Sequence, residues 1–144
     1  MIREAAREDL DQILKLYLYL HETEVPEKDE HMLKTWEKII SDPDHHLIVL
    51  EVDGRIVSSC VCVIIPNLTR YARPYAFIEN VVTHEKWRGR GFASQCLAYA
   101  KELAIRENCY KMMLLTGSKD PATHRFYEFA GYNGSDKTAY VQRL

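Results

Sequence analysis

The stretch YAFIENVVTHEKWRGRGFAS, residues 75–94, decides the fold of this chain. Its first eight residues are mostly β-branched or aromatic, which predicts a strand over residues 75–82. A turn containing two glycines follows the strand, and a helix is predicted to begin near Phe92. A strand, a glycine-rich turn and a helix in this order are typical of a site where the main chain itself contacts a ligand.

The turn in this stretch combines glycines with arginines. Gly89 and Gly91 allow the backbone to approach a ligand closely. The helix that follows begins with unpaired N–H groups and a partial positive charge. Arg88 and Arg90 add full positive charges, so the stretch predicts a phosphate-binding site. Taken alone, it is also compatible with a glycine-rich turn leading into a solvated helix.

Two short motifs support one family. Residues 88–93, RGRGFA, fit the pattern (Gln/Arg)-x-x-Gly-x-(Gly/Ala), and residues 126–132, FYEFAGY, fit Phe-Tyr-x-x-x-Gly-(Phe/Tyr). Together with the predicted strand and helix, these motifs resemble the GNAT superfamily of acyl-CoA-dependent N-acetyltransferases. The resemblance covers the whole chain in length and element order, although its specific motifs cover only residues 77–94 and 116–132.

Length and composition are those of a globular protein. The chain has 144 residues, of which 47% are apolar and 28% charged, and we expect one domain over residues 1–144. A formal net charge of −2 argues against non-specific nucleic-acid binding. The chain has no apolar run of membrane-spanning length and no signal-peptide core at its start. We therefore expect a cytoplasmic protein that contacts neither membranes nor nucleic acid.

The four cysteines lie within apolar segments and lack paired spacing. They are Cys60, Cys62, Cys96 and Cys109. Buried free thiols in a reducing compartment are favoured over a disulfide or a metal site. The six histidines show no metal-ligand spacing either, so no metal is predicted.

Hydrophobic periodicity predicts the remaining elements. The N-terminal half is predicted to contain a short strand at 2–5, helices at 8–21 and about 32–40, and a hairpin of strands 45–52 and 55–65 turning at Asp53-Gly54. The C-terminal half is predicted to contain a helix at 91–107, a strand at 110–115 parallel to 75–82, a helix from Asp120 to Gly131, and one or two closing strands within 132–143. This order predicts an α/β fold.

The family resemblance implies a fold and a cofactor site. The implied fold is a central mixed sheet in which two parallel strands splay apart, flanked by about four helices, with acetyl-CoA in the wedge. The loop at the start of the helix would bind the CoA pyrophosphate through its backbone N–H groups. The residues implied in this contact are Arg88, Gly89, Arg90, Gly91, Phe92, Ala93 and Ser94.

Glu79 is a carboxylate within an otherwise apolar strand. A general base with a pKa raised by partial desolvation is one interpretation, and a residue that reaches water at the strand end is the other. In a regular strand Asn80 would point to the opposite face, where it is a candidate acceptor contact, and a bulge would relax that alternation. By resemblance, Val81 and Val82 would offer backbone groups to the acetyl carbonyl and the pantetheine arm.

Tyr127 is the candidate general acid. It follows Phe126 on a short helix, where neighbouring residues face different ways, so Phe126 is expected in the core and Tyr127 at the cleft. A half-buried tyrosine with a satisfied hydroxyl is the plainer alternative. Asp120 and Thr123 depart from the family pattern, which leaves CoA contacts of this segment open, including one from His124.

The amine acceptor is the least determined part of the prediction. Arg70 and Arg73 precede the central strand, so they are candidates to surround the acceptor entrance and to favour a phosphate or carboxylate group. They fit solvated loop charges equally well. The C-terminal part is similar to glucosamine-phosphate N-acetyltransferases. A silent CoA-binding module, an enzyme acting on peptide amines and a small nucleic-acid-binding domain remain as alternatives, and the family resemblance leaves a homodimer open.

Overall fold

A computed structural model describes residues 1–144 and contains one five-stranded sheet in the order β1-β2-β3-β4-β5. The strands are β1 (Ile2–Glu4), β2 (His45–Val52), β3 (Arg55–Ile65), β4 (Tyr75–Thr83) and β5 (Met112–Leu114). The helices are α1 (Leu10–Leu16), α2 (Glu30–Ser41), α3 (Thr69–Ala72), α4 (Phe92–Arg106) and α5 (Pro121–Phe129). Residues Arg7–Asp9, Tyr17–Tyr19 and Glu85–Trp87 form 3₁₀ turns. No helix has the length and apolar character needed to cross a membrane.

The first four strands pair antiparallel, and β5 pairs parallel to β4. The β2–β3 hairpin turns at Asp53 and Gly54, whose φ angles of 49° and 75° are those of a tight turn with two left-handed residues. The predicted hairpin is confirmed. The predicted helix over 8–21 is wrong in detail, because α1 covers only Leu10–Leu16 and passes into a 3₁₀ turn on either side.

The sheet separates two apolar cores. One core lies under α4, where the small side chains Cys96 and Ala100 are fully buried and let the helix approach the sheet. The other lies under α1 and α2, around Ile13 and Val49. Each fully buried Ile or Val contributes about 1.5–3 kcal/mol relative to an exposed position, so both faces of the sheet stabilise the fold.

The parallel strands separate after a short contact. Pairing between β4 and β5 covers only residues 76–78 of β4 and 112–114 of β5. Beyond Ile78, the side of β4 that faces β5 has no strand partner. The predicted α/β fold, with a mixed sheet and splayed parallel strands, is confirmed. The strand β5 is shorter than the predicted 110–115, because the chain diverges from β4 after Leu114.

A bulge interrupts β4 at its centre. Ser59 pairs with Val82 while Val61 pairs with Glu79, so β4 has one more residue than β3 at this point. Asn80 adopts a left-handed φ of 50° within the bulge, a conformation that asparagine tolerates better than most residues. As a result, Ile78 packs in the α4 core and Val82 in the opposite one, although an even spacing would put them on one face.

The loop before β4 contains an unusual turn. In α3, residues Arg70 and Tyr71 have φ angles of 56° and 59°, and Ala72 has 60°. Left-handed backbone costs about 1–2 kcal/mol per residue when a Cβ is present. The turn also leaves Tyr71 fully exposed.

The predicted closing strands are not formed within the chain. Residues 133–144 lie outside any strand and are exposed. The last main-chain bond that the body of the chain makes to this region runs from the Tyr132 N–H to the Tyr127 carbonyl, 3.0 Å. The prediction of closing strands is therefore wrong, because residues 133–144 pair with no strand of the sheet.

Candidate functional site

The glycine-rich loop has the backbone geometry that its sequence predicts. Gly89 and Gly91 have φ angles of 73° and 76°, in the left-handed region that favours glycine. No atom lies within 4 Å of the position that a Cβ would occupy at either residue. The glycines are therefore required by the turn conformation, and the space above the loop is open to a ligand.

Helix α4 begins immediately after this loop without a side-chain cap. Its N-cap is Gly91, and its first main-chain bond runs from the Gln95 N–H to the Gly91 carbonyl, 3.1 Å. The N–H groups of Phe92, Ala93 and Ser94 thus have no helical partner. These donors and the positive end of the helix dipole suit an anionic group such as a diphosphate.

The two loop arginines are held over aromatic rings. The Arg90 guanidinium lies 4.7 Å from the Trp87 ring centroid, and that of Arg88 lies 5.9 Å from the Tyr19 ring. The Nε of Arg88 also donates to the Thr83 carbonyl, 3.1 Å. Such contacts restrict the side chains and leave terminal guanidinium nitrogens for a phosphate.

His84 and Tyr19 form a link that the sequence analysis did not predict. The His84 Nδ1 accepts from the Lys86 N–H, 3.2 Å, so the neutral ring carries its proton on Nε2, which donates to the Tyr19 hydroxyl at 3.2 Å. The two rings are in contact, with centroids 4.6 Å apart and planes tilted by 45°. The segment after α1 is thereby joined to the start of the glycine-rich loop. The only sequence signal for this link was Tyr19, an aromatic residue that follows α1.

Glu79 lies at the bulge with its side chain exposed to solvent. The partial burial expected for a desolvated base is therefore not present in the chain by itself. The bulge also brings Asn80 to the side of the sheet that carries α1, where its side chain lies near the Tyr17 hydroxyl. Burial raises the pKa of Tyr17 to about 12, and Asn80 opposes that shift, so Tyr17 is a neutral phenol at the bulge.

Val81 and Val82 present their main-chain groups to different strands. The Val82 carbonyl accepts from the Ser58 hydroxyl, 3.0 Å, and therefore points toward β3. Neighbouring residues of a strand direct these groups to opposite sides. This alternation would direct the main-chain groups of Val81 toward the gap between β4 and β5, whereas the Val82 carbonyl is used within the sheet.

Tyr127 lies half-buried on α5 against the α4 core. Its ring centroid is 5.0 Å from that of Phe126 and 6.2 Å from that of Tyr132. Burial raises the pKa of Tyr127, with a smaller contribution from the nearby Cys60 thiol. Cys60 faces the bulge from β3. The phenol is thus protonated at neutral pH and lies on the cleft side of the sheet.

His124 is engaged inside its own segment. Its Nε2 donates to the Ser118 carbonyl at 2.8 Å, which ties the first turn of α5 to the preceding loop. Asp120 caps the same helix by accepting from the Ala122 N–H, 2.9 Å, as predicted. A CoA contact from His124 would use the other ring nitrogen.

Arg70 and Arg73 lie at the opposite end of β4 from the glycine-rich loop. Arg73 donates from Nε to the Asn108 carbonyl and from Nη2 to the Cys109 carbonyl, both at 3.1 Å. Arg70 lies 5.6 Å from the Tyr110 ring centroid. Glu79 is four residues beyond the start of β4, about 13 Å along a strand. The structure therefore does not bring these arginines together with Glu79 within one chain.

No three His, Cys, Asp or Glu side chains lie close enough together to hold a metal ion. All four cysteines are free, and burial raises the pKa of Cys62 to about 12 and that of Cys96 to about 11.

Comparison with known sequences matches this chain to one protein family. The sequence profile of the acetyltransferase (GNAT) family matches residues 8–132. The glucosamine 6-phosphate N-acetyltransferase of Trypanosoma brucei brucei is 32% identical over 84 residues, which are 58% of this chain and 55% of that protein. The match thus spans about half the length of this relative.

Solved structures show the same fold over the whole chain. The “Putative acetyltransferase” from Agrobacterium tumefaciens str. C58 is 40% identical, with a TM-score of 0.93 over 100% of this chain and 99% of that one. The glucosamine-6-phosphate N-acetyltransferase of Arabidopsis thaliana has a TM-score of 0.86 at 22% identity, over 100% of this chain and 97% of that one. At that identity the second likeness shows the fold alone.

Proposed function

The chain belongs to the acetyltransferase (GNAT) family, and we propose that residues 1–144 act as one enzyme domain that transfers an acetyl group from acetyl-CoA to a primary amine of a small molecule. The predicted family is confirmed by the profile match. One observation carries the proposal: the opening between β4 and β5 lies beside a glycine-rich loop whose N–H groups are free. Free thiols at all four cysteines support a reducing, cytoplasmic location.

The loop residues fit the phosphate groups of CoA. Unpaired N–H groups at the start of α4, with Arg88 and Arg90 beside them, would bind the pyrophosphate and the neighbouring 3′-phosphate. The backbone of Val81 would contact the pantetheine arm or the acetyl carbonyl across the gap. Acetyl-CoA, when bound, supplies a thioester carbonyl that an amine attacks directly.

Three groups would carry the proton and charge changes. Glu79 would remove a proton from the acceptor ammonium, through a water molecule because its side chain is exposed, so that the neutral amine can attack the thioester carbonyl. The Val81 N–H would stabilise the negative charge that develops on the carbonyl oxygen as the C–N bond forms. When the C–S bond breaks, Tyr127 would donate its phenolic proton to the leaving thiolate.

The acceptor is proposed from the relatives. The 32% identity to a glucosamine 6-phosphate N-acetyltransferase favours an amino sugar phosphate as the first acceptor to examine. Asn80 and Tyr17 at the bulge supply amide and phenol groups that hydrogen-bond sugar hydroxyls. The proposal itself requires only a small primary amine.

The test is a binding and turnover measurement on the full chain. Acetyl-CoA is titrated by calorimetry, and CoA release is then followed with glucosamine 6-phosphate, glucosamine, polyamines, amino acids, aminoglycosides and a lysine peptide. We expect micromolar binding and release with at least one small amine. Binding without release for any acceptor would support a silent CoA-binding module, release only with peptide would support a protein acetyltransferase, and no binding would overturn both CoA functions.

A further inference from the structure

The 3₁₀ turn Tyr17–Tyr19 contacts both parts of the candidate site. At its start, the Tyr17 hydroxyl lies near Asn80 in the bulge of β4. At its end, the Tyr19 hydroxyl accepts a hydrogen bond from the Nε2 of His84, 3.2 Å away, at the point where β4 leads toward the glycine-rich loop. Both tyrosines pack against the core under α1 and α2. A single turn from the N-terminal part of the chain therefore lies along β4, from the bulge to the loop.

The ring of Tyr19 lies between His84 and Arg88. Its centroid is 4.6 Å from that of His84 and 5.9 Å from the guanidinium carbon of Arg88, within the range of a cation–π contact. The Nε of Arg88 donates to the Thr83 carbonyl, 3.1 Å, on the strand side. The exposed Arg88 side chain is thus held from two directions, and its terminal nitrogens remain for a phosphate.

The second loop arginine is held in a different way. The Arg90 guanidinium lies 4.7 Å from the ring centroid of Trp87, which packs against the core under α4. Tyr19 packs against the core on the other face of the sheet. The ring beside Arg90 is therefore supplied by the loop region itself, whereas the ring beside Arg88 comes from the segment after α1. Only Arg88 depends on a residue that is distant in the sequence.

We propose that Tyr19 is a positioning residue of the cofactor site, whose ring holds the Arg88 guanidinium in the orientation that binds a phosphate of acetyl-CoA. The inference rests on the proposed function, because it requires acetyl-CoA at the glycine-rich loop. Ordering a long, exposed side chain opposes binding, and a contact that already exists in the free protein removes part of that cost. The bond to His84 occupies the Tyr19 hydroxyl and fixes the ring, so Tyr19 acts through Arg88 and not on the phosphate.

The first experiment measures acetyl-CoA affinity by calorimetry in two double-mutant cycles. Tyr19→Leu is expected to weaken binding about two- to fivefold, the usual effect of an exposed cation–π contact. The same change in an Arg88→Ala background should have no measurable effect, whereas in an Arg90→Ala background it should have its full effect. Equal losses in all three backgrounds, or no loss in the original chain, would overturn the proposal.

Two further variants separate the ring from the turn that carries it. Tyr19→Phe keeps the ring and should bind acetyl-CoA within a factor of about two of the original affinity, as a conservative rescue of Tyr19→Leu. Leu18→Ala changes an exposed residue of the same turn and should leave affinity unchanged. If Tyr19→Phe binds as weakly as Tyr19→Leu, or if Leu18→Ala causes the same loss, the ring is not the group that positions Arg88.

The second experiment needs no cofactor. The rate at which the Arg88 Nε–H exchanges with solvent is followed in proton–nitrogen NMR spectra of the free protein. Tyr19→Leu should raise that rate about twofold or more, because the side chain is no longer held, and Tyr19→Phe should not. An unchanged rate in Tyr19→Leu would contradict the proposal. Failure of the original chain to bind acetyl-CoA would overturn the proposed function together with this inference, whereas normal binding with equal losses in all backgrounds would overturn the inference alone.

Discussion

The two ends of β4 are flanked by the same kinds of residues, which have different roles at each end. Each end has left-handed backbone and a pair of arginines. Beyond the C-terminal end the left-handed residues are Gly89 and Gly91, and the arginines lie over aromatic rings beside the start of α4. At the N-terminal end they are Arg70, Tyr71 and Ala72, and Arg73 binds the carbonyls that follow the end of α4.

The polarity of α4 explains the difference. This helix runs from one end of β4 to the other, with free N–H groups at its start and the negative end of its dipole at its end. Arginines at its start add to a positive region that an anion must neutralise. Arg73 lies near the negative end of the helix dipole and donates to the two carbonyls that follow the helix. The same residue type therefore forms a ligand site at one end and a structural contact at the other.

The largest effect is expected in the chemistry, since Tyr127 is the proposed proton donor to the leaving thiolate. Replacing Tyr127 by Phe removes one oxygen and should lower turnover by about ten- to a thousandfold, the usual effect of losing a general acid. Acetyl-CoA affinity should not change. The measurement is single-turnover CoA release by a variant shown to be folded. Turnover within a factor of two of the original would mean that Tyr127 only packs and that the thiolate leaves unaided.

The second prediction concerns the glycine loop. A valine at position 91 is strained at a φ of 76°, so Gly91→Val should move the N–H groups and weaken acetyl-CoA binding by roughly tenfold or more, about 1.4 kcal/mol. Gly54→Val is the matched control, because Gly54 has a φ of 75° and open space around it. That control should lose stability but bind acetyl-CoA normally. Equal calorimetric affinities for both variants would show that the loop does not hold the pyrophosphate.

The third prediction compares the arginine pairs. If Arg70 and Arg73 assist an acceptor, they do so from about one Debye length away, so the effect should be small and screened by salt. We expect Arg70→Ala and Arg73→Ala to raise the Michaelis constant two- to threefold for an acceptor with phosphate or carboxylate, at low salt only. Arg55→Ala, an exposed arginine on the hairpin, is the control. An unchanged Michaelis constant would show that neither arginine contributes to acceptor binding.

The smallest effect is expected from the left-handed backbone before the N-terminal end of β4. Ala72 has a φ of 60°, so Ala72→Gly should relieve strain and raise the free energy of unfolding by about 0.5–1 kcal/mol. Ala98→Gly, at an exposed position inside α4, should lower it by about 1 kcal/mol. Urea denaturation of both variants measures the two changes. A loss of stability in Ala72→Gly would show that the left-handed turn carries no strain.

Local chemistry explains what the sequence could predict. The Asp53-Gly54 turn, the Asp120 cap and the loop glycines each depend on near neighbours, and the structure agrees with them. The family resemblance left open a bulge that would relax the alternation of β4, and the structure has one at Asn80. The sequence did not predict the exposure of Glu79, because that depends on which side chains cover the bulge.

Contacts between residues far apart in the sequence were not predicted, because they depend on the path of the chain. Tyr19 and His84 are far apart in sequence, and only the path of the chain after α1 brings them together. The prediction of closing strands within 132–143 was wrong, because these residues pair with no strand of the sheet. The residue pattern of a segment indicates its preferred secondary structure. Strand pairing also depends on a sheet edge formed by residues elsewhere in the chain.

The buried thiols have a practical consequence for an enzyme that would release a thiol at every turnover. Disulfide exchange requires a thiolate, and burial keeps Cys60, Cys62 and Cys96 protonated at neutral pH. Free CoA, even when partly oxidised, should therefore not form mixed disulfides with these residues beside the cleft. A chromogenic thiol reagent should then detect released CoA with little background from the folded protein. A control without acceptor corrects for the reaction of Cys109, the one cysteine that is not fully buried.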